Sequence, residues 1–153
     1  MSTLPSSALK ALTEIVGTQN LLTDSGDTWA YGYDNSRKHH LPDAVALPTD
    51  VSQVQAIVKV CFDHNIPLTA RGRASGTTGG AIPLQGGLVL SLERLDKILD
   101  YDPKNRIMIV EPGVLNETIQ KKAATDNFFW APDPSSGSFC TVGGNLACNA
   151  AGP

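Results

Sequence analysis

Residues 44–70 leave the chain few possible architectures, because they predict a strand, a helix and a second strand in immediate succession. An apolar stripe at steps of three and four residues marks the helix, and Thr49 or Asp50 can cap its start. The members of the stripe are Val51, Val54, Ile57, Val58, Cys61 and Phe62. Residues 45–47 and 66–70 supply the strands. Since such a connection makes the strands parallel and the crossover right-handed, we expect a βαβ unit whose helix packs on a sheet.

Shorter elements are predicted on both sides of this unit. Residues 6–17 form a helix with Ser6 at the N-cap and Gly17 at its end, and residues 18–43 form a polar, turn-rich surface lead-in. After the unit, short β elements are predicted over residues 88–92, 98–101 and 106–111, and a helix over residues 114–126. This mixture predicts an α+β chain.

Charge and cysteine usage exclude several classes of function. With 12 Lys and Arg against 15 Asp and Glu, the net charge is −3, and without a basic run we expect no nucleic-acid partner. No apolar stretch approaches the roughly 20 residues that a transmembrane helix needs, and residues 1–10 lack the apolar core of a secretory signal. Cys61, Cys140 and Cys148 form no CxxC pair, so the sequence predicts a cytoplasmic chain without disulfides.

Other residues have simple structural interpretations. His39 and His40 lack a third ligand at suitable spacing, so we expect no metal site. The aromatic run after the last predicted helix is expected to join a core cluster. It consists of Phe128, Phe129 and Trp130.

Ten of the fourteen glycines fall in two short segments, six between Gly72 and Gly87 and four between Gly137 and Gly152. The first segment directly follows a predicted strand, where glycines allow consecutive N–H groups to converge on an anion such as a phosphate. Hydroxyl side chains add donors, and no Asp or Glu occurs between Asp63 and Glu93. Neither a Walker A motif nor the Rossmann glycine spacing is present. The alternative is a mobile loop that binds nothing.

The second segment, residues 135–153, contains no charged residue. Gly143 and Gly144 permit close approach of a large flat ligand, and the amides of Asn145 and Asn149 offer donors and acceptors. Tight packing within a core would use the same residue types. Composition alone leaves both interpretations open.

Several motifs in order carry a resemblance to a known family. They are YDNS at residues 33–36, DAVALPTDVSQVQAIV, RGRASGTTGGAIP, GGLVLSLERLDKIL, VEPGV and APDPSSGSFCTVGGNLACNAAGP. The chain resembles the start of the FAD-binding domain of FAD-linked oxidases of the vanillyl-alcohol oxidase or p-cresol methylhydroxylase type. It is most similar to the branch of the glycolate oxidase D-subunit and D-lactate dehydrogenase.

This resemblance implies an incomplete FAD-binding fold of the p-cresol methylhydroxylase type, with a parallel βαβ subdomain and the start of an antiparallel subdomain. Residues 1–43 are then an N-terminal helix and lead-in, and residues 44–153 the N-terminal part of the FAD-binding domain. The C-terminal remainder and a substrate-binding cap domain are expected to be absent. We therefore expect a truncated family member or one piece of a split gene.

The resemblance also implies which residues bind non-covalent FAD. The first loop wraps the pyrophosphate, and later turns line the adenosine and flavin portions. The residues are Arg71, Gly72, Arg73, Ala74, Ser75, Gly76, Thr77, Thr78, Gly79, Gly80, Pro112, Gly113, Pro132, Asp133, Pro134, Gly143, Gly144, Asn145, Asn149 and Ala150. Relatives often have glycine where this chain has Ala74 and Ala151. No histidine lies beside the loop, so a histidyl-flavin link is not expected.

By resemblance, the parent enzyme oxidises a small D-2-hydroxy acid by hydride transfer to flavin, with an electron acceptor that the sequence does not identify. No residue of the chain is assigned as a catalytic acid or base. The alternatives are a non-catalytic subunit that binds no flavin, and an aldonolactone or alcohol oxidase of the same superfamily. Because an unfinished domain exposes strand edges, self-association or a complementing subunit is expected.

Overall fold

The computed structural model describes residues 4–152 and contains two packed units. The elements in chain order are α1 (Ser6–Val16), β1 (Leu21–Leu22), α2 (Ser25–Trp29), β2 (Ala44–Ala46), α3 (Val51–Asp63), β3 (Leu68–Arg71), β4 (Leu88–Ser91), β5 (Ile98–Asp102), β6 (Ile107–Val110), α4 (Asn116–Ala124) and α5 (Val142–Cys148). Pro153, at the end of the second glycine segment, and residues 1–3 lie outside this range. None of the described helices has the length and apolarity needed to cross a bilayer.

The first unit is a four-stranded sheet in the order β1-β2-β4-β3. β2, β4 and β3 run parallel, and β1 pairs antiparallel with β2. β4 therefore lies between the two strands that α3 connects, an arrangement in which both predicted strands are present and parallel but are not neighbours. The carboxyl ends of the three parallel strands meet at one edge of the sheet.

Helices α1 and α3 cover one face of this sheet because each presents an apolar stripe. Ala8, Leu12 and Val16 of α1 and Ile57 and Cys61 of α3 are buried there against strand residues. The Asp50 carboxylate caps α3 by accepting a hydrogen bond from the Gln53 N–H at 2.9 Å. The opposite face of the sheet packs against side chains of the lead-in.

The second unit is smaller and joins an antiparallel hairpin to a helix. β5 pairs with β6, and Val114 and Ile119 at α4 pack with Val142 of α5 in a separate core. The parallel and antiparallel parts together confirm the predicted α+β class. On the hairpin, Leu99, Ile107 and Ile109 stay exposed.

Four local predictions need correction. Three residues assigned to the packed stripe of α3 are exposed, namely Val51, Val58 and Phe62, the last to 83%. The buried face of α3 is therefore narrower than the six apolar residues suggested. The aromatic core cluster after α4 is wrong: Phe129 is 70% exposed, and only Trp130 packs partly against the second core. α1 has Pro5, not Ser6, at its N-cap position, without a side-chain cap.

The lead-in is also more than a surface segment. It contains helix α2, it contributes strand β1 to the sheet, and its residues Thr28 and Asp34 are buried. Its polar composition hid these contacts, because the Asp34 carboxylate is held by hydrogen bonds and not by an apolar stripe.

Candidate functional site

The first glycine loop leaves the sheet at the carboxyl end of β3, the edge at which open α/β sheets bind ligands. It borders a groove of about 590 Å³. Pro112 and helix α5 form the opposite wall. The fold therefore brings the two glycine-rich segments, far apart in sequence, to two sides of one cavity.

Most of the residues that the sequence assigned to the cofactor line this groove. They are Arg71, Gly72, Arg73, Ala74, Ser75, Gly76, Thr78, Gly80, Pro112, Gly143, Gly144, Asn145 and Ala150. Thr77, Gly79, Gly113 and Asn149 belong to the same segments but are not wall residues of the groove. Pro132, Asp133 and Pro134 instead line a second cleft of about 530 Å³ beside α4.

The loop offers hydrogen-bond donors that the protein does not use. Among residues 4–152, the backbone N–H groups of residues 73–78 donate to no other protein group, and neither do the hydroxyls of Ser75, Thr77 and Thr78. Arg73 is exposed and has no ion pair within the same range. Unpaired N–H groups and hydroxyls beside a free cation are the donor set that a phosphate or pyrophosphate requires.

Arg71 occupies a different environment from Arg73, although two positions separate them. Its guanidinium donates hydrogen bonds to the carbonyl oxygens of Tyr33 at 2.6 Å, Ala30 at 3.1 Å and Tyr31 at 3.4 Å. The side chain is buried and lies 5.6 and 5.9 Å from the ring centroids of Tyr31 and Tyr33. Burial lowers the pKa of this guanidinium, and the nearby tyrosines and carboxylates oppose that shift. The sequence suggested an arginine facing an anion, but the structure turns its charge toward the lead-in.

Asp34 and Asn35 of the lead-in form further hydrogen bonds with the loop, at residues 75–79. The Asp34 carboxylate accepts the Ser36 N–H at 2.8 Å and a hydrogen bond from the Gly79 backbone. Asn35 donates its backbone N–H to the Gly76 carbonyl and its Nδ2 to the Ser75 carbonyl, each at 3.0 Å. Burial of Asp34 opposes ionisation, but the hydrogen bonds from Ser36 and Gly79 outweigh it and lower the pKa of this carboxyl. Asp34 is therefore ionised at neutral pH and engaged by the loop.

The second glycine segment is packed around Gly143 and Gly144, whose N–H groups both donate within the protein. The Gly143 N–H donates to the Pro112 carbonyl at 3.0 Å, and the Gly144 N–H to Thr141 Oγ1 at 3.3 Å. A Cβ on Gly143 would lie 2.7 Å from Pro112 Cβ and 2.9 Å from its carbonyl oxygen. This segment is thus a close-fitting wall of the groove and not a second anion loop.

Asn116 holds this wall to the turn beyond α4, a role that the sequence did not indicate. Its Oδ1 accepts from Trp130 Nε1 at 2.8 Å and from Asn145 Nδ2 at 3.1 Å, while its Nδ2 donates to the Pro132 carbonyl at 3.0 Å. The side chain is buried. A buried amide with three partners is a strong determinant of local geometry, because each unpaired atom would carry a desolvation penalty.

Residues elsewhere do not form a competing site. No group of three or more His, Cys, Asp or Glu residues suited to a metal ion occurs within residues 4–152. His39 stacks on Trp29 with ring centroids 5.0 Å apart. Burial raises the pKa of Cys61 to about 11, so this thiol is not a nucleophile at neutral pH.

Comparison with known proteins identifies the family of this chain. A family model described as an FAD binding domain matches residues 42–153. The chain belongs to this FAD-binding domain family. The match includes both glycine segments and both walls of the groove, and it confirms the family resemblance and FAD as the cofactor of the domain.

Curated relatives give the same picture within the FAD-binding domain family. The chain is 40% identical over 147 residues to glycolate oxidase subunit GlcD of Escherichia coli (strain K12), covering 95% of this chain and 30% of that protein. It is 38% identical over 111 residues to D-lactate dehydrogenase of Anaerostipes hadrus, covering 72% of this chain and 23% of that protein. The chain thus spans about 30% of the length of the glycolate oxidase subunits that it matches.

Solved structures share the fold. The p-cresol methylhydroxylase structure with substrate bound has a TM-score of 0.76 at 28% identity, covering 94% of this chain and 30% of that chain. An alkyldihydroxyacetonephosphate synthase structure has a TM-score of 0.85 at 19% identity, covering 98% of this chain and 33% of that chain. The p-cresol methylhydroxylase-type FAD-binding fold inferred from the motifs is confirmed over the part of that fold that this chain spans.

Proposed function

We propose that this chain binds FAD non-covalently, with the pyrophosphate against the first glycine loop. The observation that carries this proposal is the run of N–H groups over residues 73–78 that donate to no described protein group. The loop itself contains no carboxylate, and Arg73 supplies a free positive charge at its start. The buried carboxylate of Asp34, which also borders the groove, is occupied by N–H donors.

The remaining predicted residues bind the rest of the cofactor. Pro112, Gly143, Gly144, Asn145 and Ala150 form the wall opposite the loop, where the absence of large side chains leaves room for a flat group. The turn at residues 132–134, with its own cleft, lies along another part of FAD. The cofactor supplies the redox chemistry when bound, and the residues of this chain bind it, orient it and keep competing groups away.

We further propose that the parent activity is oxidation of a D-2-hydroxy acid. The names of the relatives support this substrate class: glycolate oxidase, D-lactate dehydrogenase and D-2-hydroxyglutarate dehydrogenase. No described residue is assigned to acid or base chemistry. The glycolate oxidase relatives are named as subunits, which is consistent with a complementing chain.

The division at residue 44 and the cytoplasmic location are part of the same proposal. The lead-in before residue 44 supports the loop, and the matched FAD-binding region begins at residue 42. The three cysteines are free, as expected in a reducing compartment.

Flavin retention tests the proposal directly. The purified chain is mixed with FAD and desalted, and the flavin absorbance that remains with the protein is measured, together with the melting temperature. We expect retained flavin and a higher melting temperature, and loss of both in Gly76→Val, whose side chain enters open space at the loop. A wild-type chain that stays colourless and does not gain thermal stability would contradict FAD binding by this chain.

A further inference from the structure

The geometry points to Arg71 and Asp34 as positioning residues that hold the first glycine loop on the lead-in. We refer to residues 30–36 together with Arg71 as the lead-in clamp. The inference rests on the proposed function, because it assigns a role to residues that shape the anion-binding loop. It differs from the sequence interpretation, in which the positive charge of Arg71 bound the pyrophosphate directly.

The contacts of Arg71 leave its guanidinium little capacity for a ligand. It donates to three carbonyl oxygens of residues 30, 31 and 33, and it lies against two tyrosine rings. Only 8% of its surface is exposed. A planar guanidinium can bridge several carbonyls in fixed directions, whereas a lysine ammonium is a single point of charge. Arg71 thereby fixes the lead-in at the position where β3 becomes the loop.

Asp34 and Asn35 fasten the far part of the same loop. Asn35 contacts the carbonyls of Ser75 and Gly76, and Asp34 accepts a hydrogen bond from the Gly79 backbone. The carbonyls of residues 75 and 76 are thus turned toward the lead-in. Because a trans peptide places the N–H opposite the preceding carbonyl, the N–H groups of residues 76 and 77 point away from the lead-in. The clamp therefore determines which backbone groups face the groove.

The two arginines at the start of the loop, Arg71 and Arg73, allow a test in which one serves as the control for the other. Arg73 is exposed and unpaired within residues 4–152, so its contribution to anion binding is its charge. We expect Arg73→Ala to raise the dissociation constant for FAD, and Arg73→Lys to restore most of the affinity. For Arg71, we expect Lys to perform as poorly as Ala, with a loss of about tenfold or more in affinity, because lysine cannot replace three directed hydrogen bonds.

Amide hydrogen exchange provides a readout that does not require flavin. The Asn35 N–H, which donates to the Gly76 carbonyl at 3.0 Å, reports directly on the clamp. In Arg71→Lys and Asp34→Asn, we expect faster exchange at residues 35, 36 and 79, whose N–H groups are hydrogen-bonded in the clamp, with unchanged exchange in α1 and α3. Asp34→Asn retains an acceptor oxygen and nearly the same shape, so it covers the case in which Arg71→Lys does not fold.

The experiment uses the 153-residue chain, fluorescence titration with FAD, and amide exchange without ligand. Failure of the wild-type chain to bind FAD overturns the proposed function, and the exchange data alone then decide the clamp. Full rescue by Arg71→Lys with unchanged exchange overturns the clamp and makes Arg71 an anion ligand. Tighter FAD binding by Asp34→Asn with unchanged exchange also overturns it, since Asp34 would then be only an unfavourable charge at the groove.

Discussion

The two glycine-rich segments face each other across one groove, yet they use glycine for opposite reasons. In the first loop, a Cβ on Gly76 would meet no described atom within 4 Å, and the backbone donors are free. In the second segment, a Cβ on Gly143 would lie 2.7 Å from Pro112 Cβ, and the N–H groups of Gly143 and Gly144 are paired. The first loop is therefore open for a ligand around Gly76, whereas the second segment is closed by packing at Gly143. Similar composition therefore does not imply similar mechanics.

Gly143→Ala should give the largest effect on stability. Its Cβ would lie 2.9 Å from the Pro112 carbonyl oxygen, so the backbone must shift, and we expect a loss of about 1–3 kcal/mol in the free energy of unfolding. Gly144→Ala is the matched control, because its nearest atom is the Thr141 hydroxyl at 3.2 Å. There the gain in helix propensity, at most about 1 kcal/mol, is expected to offset the contact. Urea denaturation measures both; equal stabilities would show that the second segment is not tightly packed.

Gly72→Ala tests the point at which the two regions touch. Its Cβ would lie 2.5 Å from Thr141 Oγ1, the oxygen that caps α5. We expect displacement of the cap and a loss of about 1 kcal/mol, measured by urea denaturation. Thr141→Ala removes the cap directly, so the double variant should cost less than the sum of the single ones. Strict additivity would mean that Gly72 and Thr141 do not interact.

Ala74→Gly tests whether the first loop holds a non-glycine residue in an unfavourable backbone conformation. Ala74 has φ +50°, a left-handed conformation that costs alanine roughly 1 kcal/mol and glycine almost nothing. Since glycine also gains entropy in the unfolded chain, we expect a net stabilisation of about 0.5 kcal/mol. Ala81→Gly, at a position without positive φ, should destabilise the chain instead. Thermal denaturation of both variants checks this difference in sign.

Gly76→Ala should give the smallest change in stability. Its Cβ enters open space and its φ is ordinary, so the free energy of unfolding is expected to change by less than about 0.5 kcal/mol. FAD affinity should nevertheless fall, because the added methyl group lies at the loop surface that the pyrophosphate approaches. A large loss of stability in thermal denaturation would instead place this loop with the packed segment.

The central fold was predictable because its elements follow from periodicity. The stripe of α3 and the strands on either side are local patterns, and the structure contains all three. The insertion of β4 between β2 and β3 was not predictable, because sheet order depends on which strands meet in space. The exposure of Phe62 was also not predictable from the sequence. Periodicity shows which face of a helix is apolar, but it does not show how much of that face the neighbouring elements cover.

The hydrogen-bond donors of the site were predictable from the sequence, but the contacts that hold the loop on the lead-in were not. Glycines, hydroxyls and the absence of acids indicated an anion loop, and the family motifs indicated its cofactor. The role of Arg71 depends on carbonyl oxygens about 40 positions earlier, which a sequence pattern does not bring together. Asp34 and Ser36 form an Asx turn, in which the carboxylate accepts the N–H two residues later. An Asp in a polar segment is a sequence signal for such a turn. That signal predicts a turn but not the loop that the turn contacts.

The three cysteines differ in access, and this difference provides a chemical reporter at the groove. Cys61 and Cys140 are buried, whereas Cys148 at the end of α5 is exposed and borders the groove. A maleimide dye should therefore label this chain at a single position, next to the wall that faces the glycine loop. The labelling rate of the purified chain then measures groove occupancy without following the absorbance of the cofactor.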